Sequence, residues 1–242
     1  MDLFPAIDLR GGSAVRLYQG DYDKMTVYSA SPLEVAKSFK ADGAEYLHLV
    51  DLDGAKDGGA RNRELIAQIV KESGLMVEVG GGIRNMDTVR DYLGLGVLRV
   101  IIGSAAVTSP DFLEAALAEY GEKIAVGVDL RDGSVAIHGW TEKSTLNGMD
   151  FIAKLEALGV KTVICTDISK DGAMQGVNAP LYKELKQRFK LDIIASGGVT
   201  DMSDLLLLSE IGVRGAILGK SLYTGSIDLK TAIEQMKRGV TP

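Results

Sequence analysis

Two aspartates stand at the ends of closely similar stretches, FPAIDLRGGSAVRL at residues 4–17 and AVGVDLRDGSVAIH at residues 125–138. Each stretch is a short apolar run, an Asp-Leu-Arg, a Gly-Ser and a second apolar run. Asp8 ends the first run and Asp129 ends the second. Two carboxylates presented to one ligand can divide the work of general acid and general base, provided their surroundings separate their pKa values. A lone aspartate at a strand end is as well explained as a turn cap. The duplication is what argues for chemistry.

Further candidates surround this pair. Asp51 and Asp167 end two more apolar runs, where each could contact a substrate hydroxyl or orient a loop. Thr166 precedes Asp167 with a hydroxyl that could reach a reacting oxygen. The glycines of GGGIR (80–84) and SGGV (196–199), with GSA (103–105) and GKS (219–221), form two pairs of loops. Such loops free backbone N–H groups to surround an anion. Gly81, Gly82, Gly103 and Ser104 would hold one phosphate, and Gly197, Gly198, Gly219 and Lys220 another. GAILGKS (215–221) is not a P-loop, because three residues rather than four separate its first Gly from Gly-Lys-Ser. Trp140, the only tryptophan, lies in a long stretch after Asp129, where it could stack on a flat heterocycle or pack the loop down. His48 and His138 have no partner at metal-ligand spacing, so no metal is implied.

These residues need a frame that brings them to one end. Apolar runs at 3–8, 44–51, 75–80, 98–103, 123–129, 160–167, 191–196 and 213–219 predict strands. Between them, segments such as 32–43 and 111–121 carry apolar residues at helical spacing. About eight alternating units predict a parallel sheet, and this length suits a closed (β/α)8 TIM barrel better than an open doubly wound sheet. An internal repeat points the same way. Gly43, Asp51, Gly81, Gly82, Gly96 and Gly103 each recur 116 positions later, which predicts two (β/α)4 halves, roughly 1–121 and 122–242, in one domain spanning 1–242. Active sites of such barrels lie in the loops after the strands. There the first and fifth strands would set Asp8 and Asp129 opposite each other. The stretches 9–30 and 130–146 are long for such loops and read as lids.

Composition narrows the class. With 242 residues, 46% of them hydrophobic, a large core is affordable, and a net charge of −6 with interspersed signs speaks against a nucleic-acid surface. The single cysteine, Cys165, excludes an internal disulfide and reads as a buried strand residue. No run approaches the roughly 20 apolar residues of a membrane span, and the opening MDLFPAIDLRGG lacks a signal pattern. A cytoplasmic monomer is expected, with a small bisphosphate as its partner and neither nucleic acid nor membrane.

Motif by motif, IDLRGGSAVRLYQGDY (7–22), HLVDLDGA (48–55), VEVGGGIR (77–84), GVDLRDG (127–133), HGW (138–140), TDISKDG (166–172) and SGGV (196–199) resemble the phosphoribosylformimino-5-aminoimidazole carboxamide ribotide isomerases of histidine biosynthesis. The resemblance covers essentially the whole chain. It implies an Amadori rearrangement of a bisphosphorylated aminoaldose (ProFAR) to its aminoketose (PRFAR), with Asp8 as base at ribose C2, Asp129 as acid at the ring oxygen, and no cofactor. One stretch departs. DGAMQGVN (171–178) stands where the family resembles DGTLSGPN, so no role is carried over to Ala173 or Gln175. The opening IDLRGG sides with the isomerase rather than the cyclase of the next step. Two other readings are a bifunctional isomerase that also takes phosphoribosylanthranilate and a non-catalytic sensor of phosphate ligands.

Overall fold

The computed structural model describes residues 1–18 and 21–238; residues 19 and 20 of the long first loop and the terminal 239–242 lie outside it. The strands are β1 (Asp2–Arg10), β2 (Ser13–Tyr18), β3 (Asp21–Ser29), β4 (Tyr46–Asp51), β5 (Met76–Gly80), β6 (Arg99–Ile102), β7 (Ile124–Arg131), β8 (Ser134–Ile137), β9 (Glu142–Asn147), β10 (Thr162–Asp167), β11 (Asp192–Ser196) and β12 (Gly215–Leu218). Eight of them run parallel in the order β1-β4-β5-β6-β7-β10-β11-β12, and β12 pairs with β1 to close the ring. This is the predicted (β/α)8 barrel, and each of the eight runs read as strands supplies one stave.

Closure removes every sheet edge within the ring, so both faces of each stave are covered and the runs read as continuously apolar. All six residues of β10 are buried. Successive side chains alternate between faces. Phe4, Ala6, Ile101, Ala125, Ile164, Ile194 and Ile217 fill the barrel's interior. Their neighbours, among them Ile7, Leu49, Val126 and Cys165, pack outward against the helices.

The helices are α1 (Pro32–Ala41), α2 (Leu52–Asp57), α3 (Arg63–Glu72), α4 (Met86–Gly94), α5 (Ala105–Thr108), α6 (Pro110–Tyr120), α7 (Gly148–Ala157), α8 (Ala179–Arg188), α9 (Met202–Ile211), α10 (Lys220–Tyr223) and α11 (Leu229–Arg238). Seven are the expected crossovers and α11 follows the last stave, while α2, α5 and α10 are short helices within the loops after β4, β6 and β12. The repeat is visible in how helices start and stop. Asn85 caps α4 by accepting from Thr88 N, and Asp201, 116 positions on, caps α9 through Ser203 N and Asp204 N. Gly96 and Gly212 follow those helices with φ of 91° and 81°, a conformation that favours glycine.

The two long stretches differ from the loops that were expected. Each folds as an antiparallel extension of its stave: β2 pairs with β1 and then β3, and β8 pairs with β7 and then β9. The duplication therefore extends to a hairpin on each of two opposite staves.

Candidate active site

At the C-terminal ends of the staves the barrel opens into a cavity of about 280 Å³. Asp8 and Asp129 both line it, from staves four apart in the ring of eight. On β1 the alternation puts Asp8 on the same face as Ala6 and Phe4, and on β7 it puts Asp129 with Gly127 and Ala125. Inward parity, not strand-end position alone, delivers these carboxylates.

β2 folds back so that Val15 lies opposite Asp8, which brings the next residue, Arg16, over the mouth. Its Nη1 lies 2.8 Å from Asp8 Oδ2, with the two side chains 15% and 16% exposed. Burial works against the guanidinium's charge, but Asp8 and Asp171 outweigh it and raise its pKa. The end of β12 makes room for this group: a Cβ on Gly219 would fall 1.4 Å from Arg16 Nη2.

Asp129 is in a different setting. Burial raises its pKa, while polar contacts from the Trp140 indole and the Thr166 hydroxyl, and the field of His48, act in the other direction. A third carboxyl, Asp171, lines the same cavity from the loop after β10. Burial pushes it up to about 6; Arg16 and Lys220 oppose the rise, and Asp8 and Asp129 add to it. A carboxyl that binds a proton near neutrality beside a second, paired with arginine, is the division of labour acid–base catalysis needs. Asp171 was missed in the sequence because it lies inside a loop, five residues past the inward-facing Thr166. Its signal was the position of TDISKDG directly after a stave.

Gly81, Gly82, Gly197 and Gly198 line the cavity as well. Their φ values are 103°, 74°, 85° and 91°. A Cβ at these positions would meet the backbone carbonyls of Asp51, Gly54, Asp167 and Gly176 at 2.2, 2.2, 2.8 and 2.5 Å. The glycines are thus required by the loop each one packs against, before any anion is considered. Gly103, Ser104 and Lys220 complete the rim at the starts of α5 and α10, whose first N–H groups have no partner within the helix. Ser104 Oγ accepts from His138 N at 2.8 Å, and Lys220 Nζ donates to Gly172 O at 2.9 Å. Each rim is thereby tied to a loop carrying one of the raised carboxyls or its neighbour.

Trp140 and Thr166 also line the cavity, Trp140 at the end of a left-handed turn in which His138, Gly139 and Trp140 have φ of 54°, 64° and 69°. Such backbone is strained for the two non-glycine residues.

Two predicted site residues are placed elsewhere. Asp51 and Asp167 follow the inward Val50 and Thr166, so the alternation turns them outward, and neither lines the cavity. Asp51 is fully buried and accepts from Gly54 N, Asn62 N, Asn62 Nδ2 and the Tyr92 hydroxyl. Asp167 accepts from Ser169 N, Ser169 Oγ and Asn178 Nδ2. Asn178 is the repeat partner of Asn62, so both halves use the same Asp–Asn clasp to shape a loop. Of the two roles open to these residues, loop orientation is the one their contacts support.

The chain is a half-barrel-duplicated (β/α)8 protein with three carboxyls, Asp8, Asp129 and Asp171, gathered in one cavity at its C-terminal mouth. Residues 2–228 match the family described as "Histidine biosynthesis protein", and the chain belongs to that family. It is 54% identical, over 95% of its length and 94% of the relative's, to a protein of Lactococcus lactis subsp. cremoris (strain SK11) named 1-(5-phosphoribosyl)-5-((5-phosphoribosylamino)methylideneamino) imidazole-4-carboxamide isomerase. Proteins of the same name from Ruminiclostridium cellulolyticum and Listeria monocytogenes serotype 4a are 48% and 49% identical, over 96% and 97% of this chain and 99% and 98% of theirs.

Proposed function

We propose that this chain is the aldose–ketose isomerase its relatives are named for, converting ProFAR to PRFAR in histidine biosynthesis. The observation that carries the mechanism is the contrast within one cavity between Asp8, paired with Arg16, and the two raised carboxyls, Asp129 and Asp171. In this reading Asp129 gives its proton to the ribose ring oxygen as the C1–O bond breaks, leaving a C1=N iminium. Asp8 then takes the C2 proton, and the electron pair forms C1=C2 while the iminium nitrogen is neutralised. Ketonisation leaves C1 reduced and C2 oxidised within one molecule, so no external redox partner is called for. The paired glycine rims, 116 positions apart, suit a ligand with a phosphate at each end.

Asp171 supports a second assignment of the acid, because its pKa of about 6 suits a donor near neutrality. Asp129→Asn and Asp171→Asn separate the two: the variant that loses ring opening identifies the donor. A cofactor-free monomer in the cytoplasm belongs to the same reading; among the described residues no helix is long and apolar enough to cross a membrane, and size-exclusion chromatography checks the monomer.

Steady-state turnover of the purified chain on the aminoaldose tests the proposal, with phosphoribosylanthranilate as the second substrate. Turnover of the first alone is expected. Comparable kcat/KM on both substrates points to the bifunctional reading, and binding without turnover to the sensor.

A further inference from the structure

Beneath the carboxyls the barrel interior carries three polar side chains on adjacent staves: His48 on β4, Glu78 on β5 and Arg99 on β6. They are register neighbours, His48 opposite Glu78 and Glu78 opposite Arg99. Glu78 is fully buried. Its Oε1 lies 2.6 Å from His48 Nδ1, and its Oε2 accepts from Arg99 Nε at 2.8 Å and pairs with Arg99 Nη2 at 2.6 Å. Arg99 is held in turn by Thr162 Oγ1 at 3.4 Å and lies 5.6 Å from the centre of the Phe4 ring.

The fold does not require this cluster. In the second half the corresponding positions, 116 residues on, are Ile164, Ile194 and Gly215, of which the two isoleucines join the barrel's apolar filling. Replacing a buried ion pair by well-packed apolar groups is often neutral or stabilising, so such a pair is weak evidence of a role in stability. A charged cluster kept in one half, under the cavity, calls for another reason.

His48 supplies it. The ring lines the same cavity as Asp129. A carboxylate only accepts hydrogen bonds, so Glu78 keeps the proton of the neutral ring on Nδ1. Nε2 is then the one ring nitrogen that can exchange a proton or bond a ligand in the cavity.

We propose that Glu78 is a positioning residue of the isomerase, anchored by Arg99, which holds His48 so that Nε2 serves as a further proton-exchanging group on the cavity floor beside Asp129. This rests on the isomerase reading, and two independent measurements keep the two claims apart. The chain has only two histidines, so ¹⁵N spectra of the resting protein, assigned with His48→Asn, report the His48 tautomer without any turnover. The expected result is the Nδ1–H form in the wild type, with that bias lost in Glu78→Gln. For kinetics, His48→Asn is the informative variant, because an asparagine amide can still donate to Glu78 from near the Nδ1 position but offers nothing in place of Nε2. With that internal bond kept, kcat should fall about 10²-fold with KM little changed, and Glu78→Gln should lower kcat by on the order of tenfold. An Nε2–H tautomer in the wild type, or a folded His48→Asn variant with wild-type kcat, overturns the proposal. A wild-type protein inactive on the aminoaldose but with the Nδ1–H form would instead retire the isomerase reading and leave the Glu78–His48 geometry standing.

Discussion

At the scale of single residues, three carboxyls share one cavity in unlike settings. Asp8→Asn and Asp129→Asn should each lower kcat by roughly 10²–10⁴-fold while substrate still binds, as loss of a general base or acid does. Near-normal turnover in either variant would remove that residue from its role. Asp171 makes a prediction about pH. Its carboxyl is raised, so it is protonated below about 6 and ionised above. If it supplies the proton, kcat/KM falls as pH rises through that value, and Asp171→Asn is slow with that limb gone. The same shift costs stability at higher pH. An ordinary unfolded carboxyl ionises first, so the penalty is absent well below pH 4 and complete above about 6. Asp171→Asn should therefore stabilise the fold at pH 8 by on the order of 3 kcal/mol and much less at pH 4, as thermal unfolding would register. Asp51 and Asp167 show where reading residues singly misleads. All four strand-end aspartates look alike in the sequence, and only the parity of each strand separates Asp8 and Asp129, which face in, from two that clasp loops.

The elements that matter most are the two hairpins. The barrel staves were legible because burial on both faces leaves unbroken apolar runs. The hairpins were not, since the described side chains of β3 and β9 are largely exposed, and pairing with β2 and β8 rather than an apolar run makes them strands. The second hairpin carries His138, tied by its N–H to Ser104, and Trp140, in contact with Asp129. Trp140 lines the cavity beside Asp129, and its indole is expected to cover the flat ring of the substrate. Trp140→Ala should cut kcat/KM by one to three orders of magnitude, a positioning contact of about 1.4 kcal/mol being already tenfold. Trp140→Phe keeps a flat ring without the N–H, so recovery of activity would assign the effect to stacking, and none to the contact with Asp129. Fluorescence of the sole tryptophan should change on substrate binding; silence together with unchanged kinetics would leave Trp140 as loop packing.

The whole molecule is a barrel written twice, and its halves differ at residues in and beneath the cavity. Both keep the Asp–Asn clasp and the paired glycines, whereas Glu78, Arg99 and Trp140 each occur in one half only. A bisphosphate should therefore lie across the mouth, one end against Gly82 and Ser104 and the other against Gly198 and Lys220. A ligand-bound structure with both phosphates on one half would refute this. Bulky substitution at Gly198 is a poor probe of it, because a side chain there would strike Gly176 O and disturb the loop whether or not phosphate binds. Ser104→Ala and Lys220→Ala are better, and each should raise KM. That Asp8 removes the ribose C2 proton is tested by turnover of aminoaldose deuterated at C2. Wild-type enzyme should form the ketose with a primary isotope effect that slows the single-turnover rate, whereas Asp8→Asn should bind the same substrate yet leave the deuterium at C2. Ketose formation by Asp8→Asn at the wild-type rate would contradict it.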